Sequence, residues 1–133
     1  MKLFNCLNRL CDYKGCTDES LVVRSKISNY LVYLNYNLSH FGTMYLIETI
    51  FEIYYKKDYL GDDIKNNIYS VLAKRYNKSI NTIYTDIKQA TASMYEKRNE
   101  KILVDFFKLK ECRKTKVTQV IFTILNKLKK PSL

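Results

Sequence analysis

The stretch between Ile68 and Arg98 limits the fold more than any other part of the chain. It reads IYSVLAKRYN, then KS, then INTIYTDIKQATASMYEKR. Apolar residues recur at three- and four-residue spacing on both sides of an Asn77-Lys78-Ser79 corner, the pattern of two amphipathic helices joined by a tight turn. Ala73 is small where the first helix must approach the second. Asn77 tolerates the left-handed backbone of a tight turn, and Ile83 can plug the angle between the helices. Lys78 departs from the pattern, at a turn position that is often apolar. The expectation is a helix-turn-helix, whose second helix commonly lies in a DNA groove, although the same geometry also serves protein bundles.

The rest of the chain is written for helices. With 133 residues, of which 47% are hydrophobic and only three are Gly and one Pro, it suits one domain that buries roughly two thirds of its unfolded surface. Disordered and collagen-like classes are excluded by that composition. The twelve tyrosines read as half-buried helix residues. No run approaches the roughly 18 consecutive apolar residues of a membrane span, and the start MKLFNCLNRLCDYKGC lacks a secretory hydrophobic run, so a cytoplasmic protein is expected.

Residues 1–19 lack sustained periodicity and read as a loosely ordered extension; residues 20–133 read as a single helical domain. Helix one is expected from Glu19 or Ser20 to about Tyr36, with Val23, Ile27, Tyr30, Leu31 and Leu34 on one stripe. Gly42 reads as a break. Helix two then presents Leu46, Ile47, Ile50, Phe51 and Tyr54 and ends at Lys56-Lys57-Asp58. A Gly61-Asp62-Asp63 corner supplies carboxylates to the start of helix three, which turns Ile64, Ile68, Val71 and Leu72 inward. Ser79 can cap helix four, whose apolar positions are Ile80, Ile83, Ile87, Ala90 and Met94. A short fifth helix carries Ile102, Leu103, Phe106 and Phe107, and a sixth carries Val117, Val120, Ile121, Ile124, Leu125 and Leu128. The fold class is all-α: a single six-helix bundle containing a helix-turn-helix.

Charge points to a polyanionic partner. Lys and Arg number 23 against 13 Asp and Glu, and the excess is uneven: residues 1–96 hold 12 basic and 10 acidic residues, residues 97–133 hold 11 and 3. The densest run is Lys108 to Lys116, a loop before the last helix, and a solvated surface is its plainer reading. Next to a recognition-helix candidate, the same run can neutralise phosphates, the main source of nonspecific DNA affinity. At 100° per residue the face of helix four opposite its apolar stripe collects Asn81, Tyr84, Thr85, Lys88, Gln89 and Ala92. With Thr82, the long members of this strip are the candidate base readers. Lys74, Lys78, Ser79, Arg113, Lys114 and Lys116 are the candidate phosphate contacts.

Enzymatic readings find little support. The single histidine, His40, sits in a Ser-His-Phe-Gly junction with no nearby carboxylate, and an interhelix polar contact is the simpler role. Glu48 and Glu52 lie one helical turn apart, ordinary for an exposed helix face. No phosphate loop or metalloprotease motif occurs, and no catalytic group, cofactor, small-molecule substrate or membrane is expected. The regular placement of Cys6, Cys11 and Cys16, with four residues between neighbours, admits a zinc reading, since nearby thiolates can share a tetrahedral metal. There is no CxxC pair, and Cys112 would have to come from a distant segment, so free thiols are expected and no metal is assigned.

From about Ile27 to Leu128, roughly three quarters of the chain, the sequence resembles the C-terminal effector domain of stage zero sporulation protein A, a response regulator of endospore-forming bacteria. The similarity lies in Gly42-Thr-Met-Tyr45-Leu46, in Ile68-Tyr-Ser-Val-Leu-Ala73-Lys74-Arg75-Tyr76-Asn77, and in Ile83, Ile87 and Ala90 through Asn99. The resemblance implies a six-helix fold that binds promoter DNA through helix four, with subunits in tandem on the duplex as a homodimer. The family's exposed helix-four face is rich in Arg and includes a Glu and a His. Here Thr82, Tyr84, Thr85, Lys88 and Gln89 stand there, which favours a more A·T-rich site, because Gln suits adenine and Thr can meet a thymine methyl. Phe41 replaces a basic residue before the glycine, and Lys114-Thr115-Lys116 replaces a Pro-containing approach to the last helix. The family's phosphorylated receiver has no counterpart. About 26 residues precede the matched region where a receiver needs on the order of 100, so regulation is expected to come by abundance, a partner or an N-terminal thiol event.

Two functions of different class follow. One is a sequence-specific double-stranded DNA-binding transcription regulator with helix 79–98 in the major groove. The other is a protein-interaction module that keeps the fold but has lost operator reading, binding a regulator partner through Tyr84, Tyr95 and neighbouring apolar surface.

Overall fold

The computed structural model describes residues 18–56 and 63–129. Among them are six helices and no strand: α1 (Asp18–Tyr33), α2 (Phe41–Tyr55), α3 (65–76), α4 (Ile80–Glu96), α5 (Glu100–Phe107) and α6 (Val117–Lys129). Helix α3 opens with a π-helical turn, Lys65–Tyr69, and continues as an α-helix, Ser70–Tyr76. The all-α bundle and its helix-turn-helix agree with the sequence pattern. The three N-terminal cysteines, Lys57, Asp58, Gly61 and Asp62 lie outside the described residues, and Cys112 is a free thiol. No described helix is long and apolar enough to cross a membrane.

Helix α1 starts at Asp18, slightly ahead of the expected Glu19 or Ser20, so that two carboxylates occupy its first turn and oppose the positive end of the helix dipole. It ends at Tyr33, short of Tyr36, because Asn35 takes a left-handed conformation with φ 75°. Val23, Ile27 and Leu31, four residues apart, face the core.

Helix α2 is the central rod and packs against α1, α3, α4 and α6. Gly42 is not a break. It is the second residue of α2, and its missing side chain is what the packing requires: a Cβ there would stand 1.9 Å from the Asp86 carbonyl oxygen and 2.9 Å from the Ala90 Cβ. The glycine therefore lets the α2 backbone touch α4 directly.

The second correction concerns Glu48 and Glu52. Glu48 is fully buried, at 0% exposure, rather than on an exposed face. Arg24 Nε and Nη2 donate to its two carboxylate oxygens at 2.9 and 3.1 Å. Arg75 Nη1 donates to it from the other side at 3.2 Å and Nη2 to Glu52 at 2.5 Å. The Arg24 guanidinium also lies 3.7 Å from the centre of the Phe51 ring. Two cations and two anions form a neutral quartet that ties α1, α2 and α3 together. Burial disfavours the Arg75 cation, but the hydrogen bond and charge of Glu52, with Glu48 behind them, outweigh it and hold its pKa above the ordinary value.

Two outcomes follow from these contacts. Gly42→Ala sets a methyl against α4 backbone that cannot rotate away, so it is expected to lower stability by about 3 kcal/mol, at the upper end of overpacking costs, with α4 amides exchanging faster in hydrogen-exchange measurements. Glu48→Ala leaves the Arg24 guanidinium buried without its counterion and should cost about 3–5 kcal/mol in chemical denaturation. Glu52→Ala, at a partly exposed position, should cost about 1 kcal/mol or less.

Candidate nucleic-acid interface

The turn before α4 is built as the sequence requires. Asn77 has φ 54° and ψ 51°, and Lys78 N donates to Ala73 O at 2.9 Å, the closing bond of a Schellman turn. Ser79 then caps α4, its hydroxyl accepting from Thr82 N at 3.0 Å. Ala73 and Ile83 are buried at the crossing, as expected.

Four further contacts fix α4 along its length. Gly42 abuts Asp86. The Tyr36 hydroxyl pairs with Thr91 Oγ1 at 2.8 Å. Burial raises the Tyr36 pKa well beyond its ordinary value, outweighing the opposing Thr91 bond, so the contact is made by a neutral phenol. Asn35 Nδ2 donates to Lys97 O at 3.0 Å, satisfying a carbonyl at the helix end. Tyr95 reaches out of α4 to the basic loop: its hydroxyl donates to Arg113 O and accepts from Thr115 N, and stands 3.0 Å from Thr115 Oγ1.

With Ile83, Ile87, Ala90 and Met94 facing the core, the opposite side of α4 is open. Asn81, Tyr84, Thr85, Lys88, Gln89 and Ala92 are all exposed. Thr82 is half-buried and its hydroxyl is paired with Ser79 Oγ at 2.8 Å, so it serves the cap. Tyr84 is 39% exposed and leans on Tyr69, ring centres 6.4 Å apart. Gln89 borders a shallow notch with Ser39, His40, Phe41 and Asp86. His40 is the N-cap residue of α2, without a side-chain capping bond.

The predicted phosphate contacts fall into separate groups. Lys74, Lys78 and Ser79 are exposed around the helix-turn-helix corner, at the N-terminal end of α4. Lys114 and Lys116 line a cleft of about 700 Å³ together with Tyr84 and Lys88 of α4, so the basic loop stands beside the exposed strip. Arg113 does not line that cleft. It borders a neighbouring niche with Arg98 and Cys112.

Sequence reasoning missed two residues here. Tyr95 had been grouped with interaction surface, yet it is 6% exposed and latches the loop. The missing signal is the long-range partner at Thr115. Lys65 lines the same cleft as Lys88 and Lys114, on a π-helical turn that KNNIY does not announce. Among the described residues no group of three or more metal-ligating side chains could hold an ion.

The family model of the sporulation initiation factor Spo0A C-terminal domain matches residues 27–128. No curated protein and no solved structure matches the chain.

Removing the Tyr95 hydroxyl leaves the buried Thr115 N–H without its acceptor. Tyr95→Phe should therefore cost about 1–3 kcal/mol and speed hydrogen exchange at Thr115, whereas exchange at the Ser79 cap should stay unchanged.

Proposed function

The chain belongs to the family of the Spo0A C-terminal domain, a DNA-binding effector family of sporulation regulators, and on that premise we propose that it is a sequence-specific double-stranded DNA-binding transcription regulator with α4 in the major groove. The observation that carries this reading is the polar face of α4, uncovered among the described residues and flanked at its N-terminal end by Lys74 and Lys78 and further along by Lys114 and Lys116. A helix of 17 residues is about 25 Å long at 1.5 Å per residue, and a groove about 12 Å wide admits it. Inserted N-terminus first, as recognition helices are, α4 brings Asn81, Thr85, Lys88 and Gln89 to base edges.

The chemistry divides between two tasks. Lys74, Lys78, Ser79, Lys114 and Lys116 hold phosphates, which sets register and supplies salt-dependent affinity without sequence information. Gln89 pairs with an adenine, Thr85 meets a thymine methyl and Lys88 donates to guanine N7 and O6, so an A·T-rich site with at least one G·C pair is favoured. The family relationship also supports a homodimer in tandem on the duplex. The interaction-module alternative is weakened by the burial of Tyr95, one of the two side chains it needed.

Selection from a randomised duplex library at fixed physiological salt tests the reading. Enrichment of an A·T-rich motif is expected. Lys88→Ala or Gln89→Ala should each reduce preference for that motif by about 1–3 kcal/mol, while Lys114→Ala weakens all duplexes alike. Equal binding of random and selected duplexes, indifferent to changes in α4, would favour the interaction module instead.

A further inference from the structure

Beside α4 lies the cleft that Lys114 and Lys116 share with Lys88, where cations from several parts of the chain meet. Its cations come from separate chain segments: Lys65 from the π-helical turn of α3, Lys88 from α4, Arg98 from the turn after α4, and Lys114 and Lys116 from the loop before α6. Among the described residues Glu96 is the one carboxylate in the lining, and none of the four lysines is in an ion pair there, whereas Arg98 pairs with Glu100. Gathering more cations than the nearby carboxylate can balance is unfavourable, and an anion entering the cleft relieves it. The Tyr84 ring lines the cleft, with the Lys65 and Lys88 ammonium groups 5.8 and 5.3 Å from its centre. Tyr69 backs the ring from α3.

We propose that this cleft takes the phosphodiester backbone of the DNA strand bordering the groove that α4 occupies, with Lys65 as an additional phosphate contact and Tyr84 as a positioning residue for Lys65 and Lys88. The inference rests on the DNA-binding reading and extends it, since Lys65 lies outside the helix-turn-helix corner and the basic C-terminal quarter. A backbone strand fits better than a compact anion because the cleft is open and continuous with the exposed strip of α4: Lys88 belongs to both. Tyr84 then acts through the two ammonium groups that its ring attracts rather than by reading a base.

The test measures affinity for a random and for a selected duplex across a salt series, in the wild-type chain and in Lys65→Gln, Lys114→Gln, Lys88→Ala, Tyr84→Ala, Tyr84→Phe and the Lys88→Ala, Tyr84→Ala double variant. Lys101→Gln, at an exposed position of α5 outside the cleft, is the control. Because Lys65 is exposed, Lys65→Gln should fold, which its thermal transition checks. Lys65→Gln is expected to flatten the salt slope by about 0.9, the share of one phosphate, and to weaken both duplexes by the same factor. Tyr84→Ala should weaken both duplexes and, by freeing Lys88, lower the preference for the selected one, Tyr84→Phe should match the wild type because only the ring is used, and Lys101→Gln should leave the slope unaltered. If Lys114→Gln flattens the slope and Lys65→Gln does not, the cleft proposal is overturned and the DNA reading stands. A selectivity loss on Tyr84→Ala that persists when Lys88 is already replaced in Lys88→Ala would make Tyr84 a base reader and overturn its positioning role. Pyrophosphate that binds the wild type but not Lys65→Gln, with duplex binding unaffected, would assign the cleft to a free anion instead. A wild-type chain that binds no duplex overturns both readings.

Discussion

What α4 offers to its surroundings depends on how closely α2 lies against its inner side, and that approach is set by the absence of a side chain at Gly42. With the α2 backbone in contact with the Asp86 carbonyl, the rotation of α4 about its own axis is fixed: Ile83, Ile87, Ala90 and Met94 turn inward, and at 100° per residue Thr85, Lys88 and Gln89 must turn out. Close packing transmits that constraint because cores have little free volume to absorb a shift. The remaining supports of α4, from Tyr36, Asn35, Tyr95 and Ser79, hold a helix whose orientation the glycine contact has already chosen.

The quartet of Arg24, Glu48, Glu52 and Arg75, its first two members buried and the others partly exposed, performs a different task at the other side of α2. Replaced by apolar side chains of the same shape, such a network is often no less stable, so its value lies in register. Glu48 accepts from both Arg24 and Arg75, and sliding α1 or α3 along α2 by one residue would leave a charge buried without a partner. Helix α3 is thereby seated on the core, and with it both the helix-turn-helix corner and the π-helical turn that carries Lys65. The charges hidden inside the bundle cancel, and the excess cations are left on its surface.

Much of this could be read from the chain before any coordinates. The apolar spacing of Ile83, Ile87, Ala90 and Met94 located both the dry face and the polar one, and Asn77 and Ser79 marked the turn, because these features depend on neighbours within a few residues. What stayed hidden depends on distant segments. Gly42 was read as a break because its clash partner, Asp86, is 44 positions away. Glu48 reads as a surface residue in the sequence because its arginine partners sit on two other helices. Tyr95 looked like a free aromatic, since only the fold brings it to Thr115. The π-helical turn has no clear signature in KNNIY, so the pairing of Lys65 with the α4 strip could not be foreseen.

The most direct test of whether the outward face of α4 meets DNA is a titration of the labelled chain with duplex, followed by amide chemical shifts. Perturbations centred on Asn81, Thr85, Lys88 and Gln89 and extending to Lys114 and Lys116, with the outer face of α1 around Asn29 and Val32 unmoved, are the predicted result. Shifts concentrated on α1 or around Phe41, with the α4 strip silent, would contradict it.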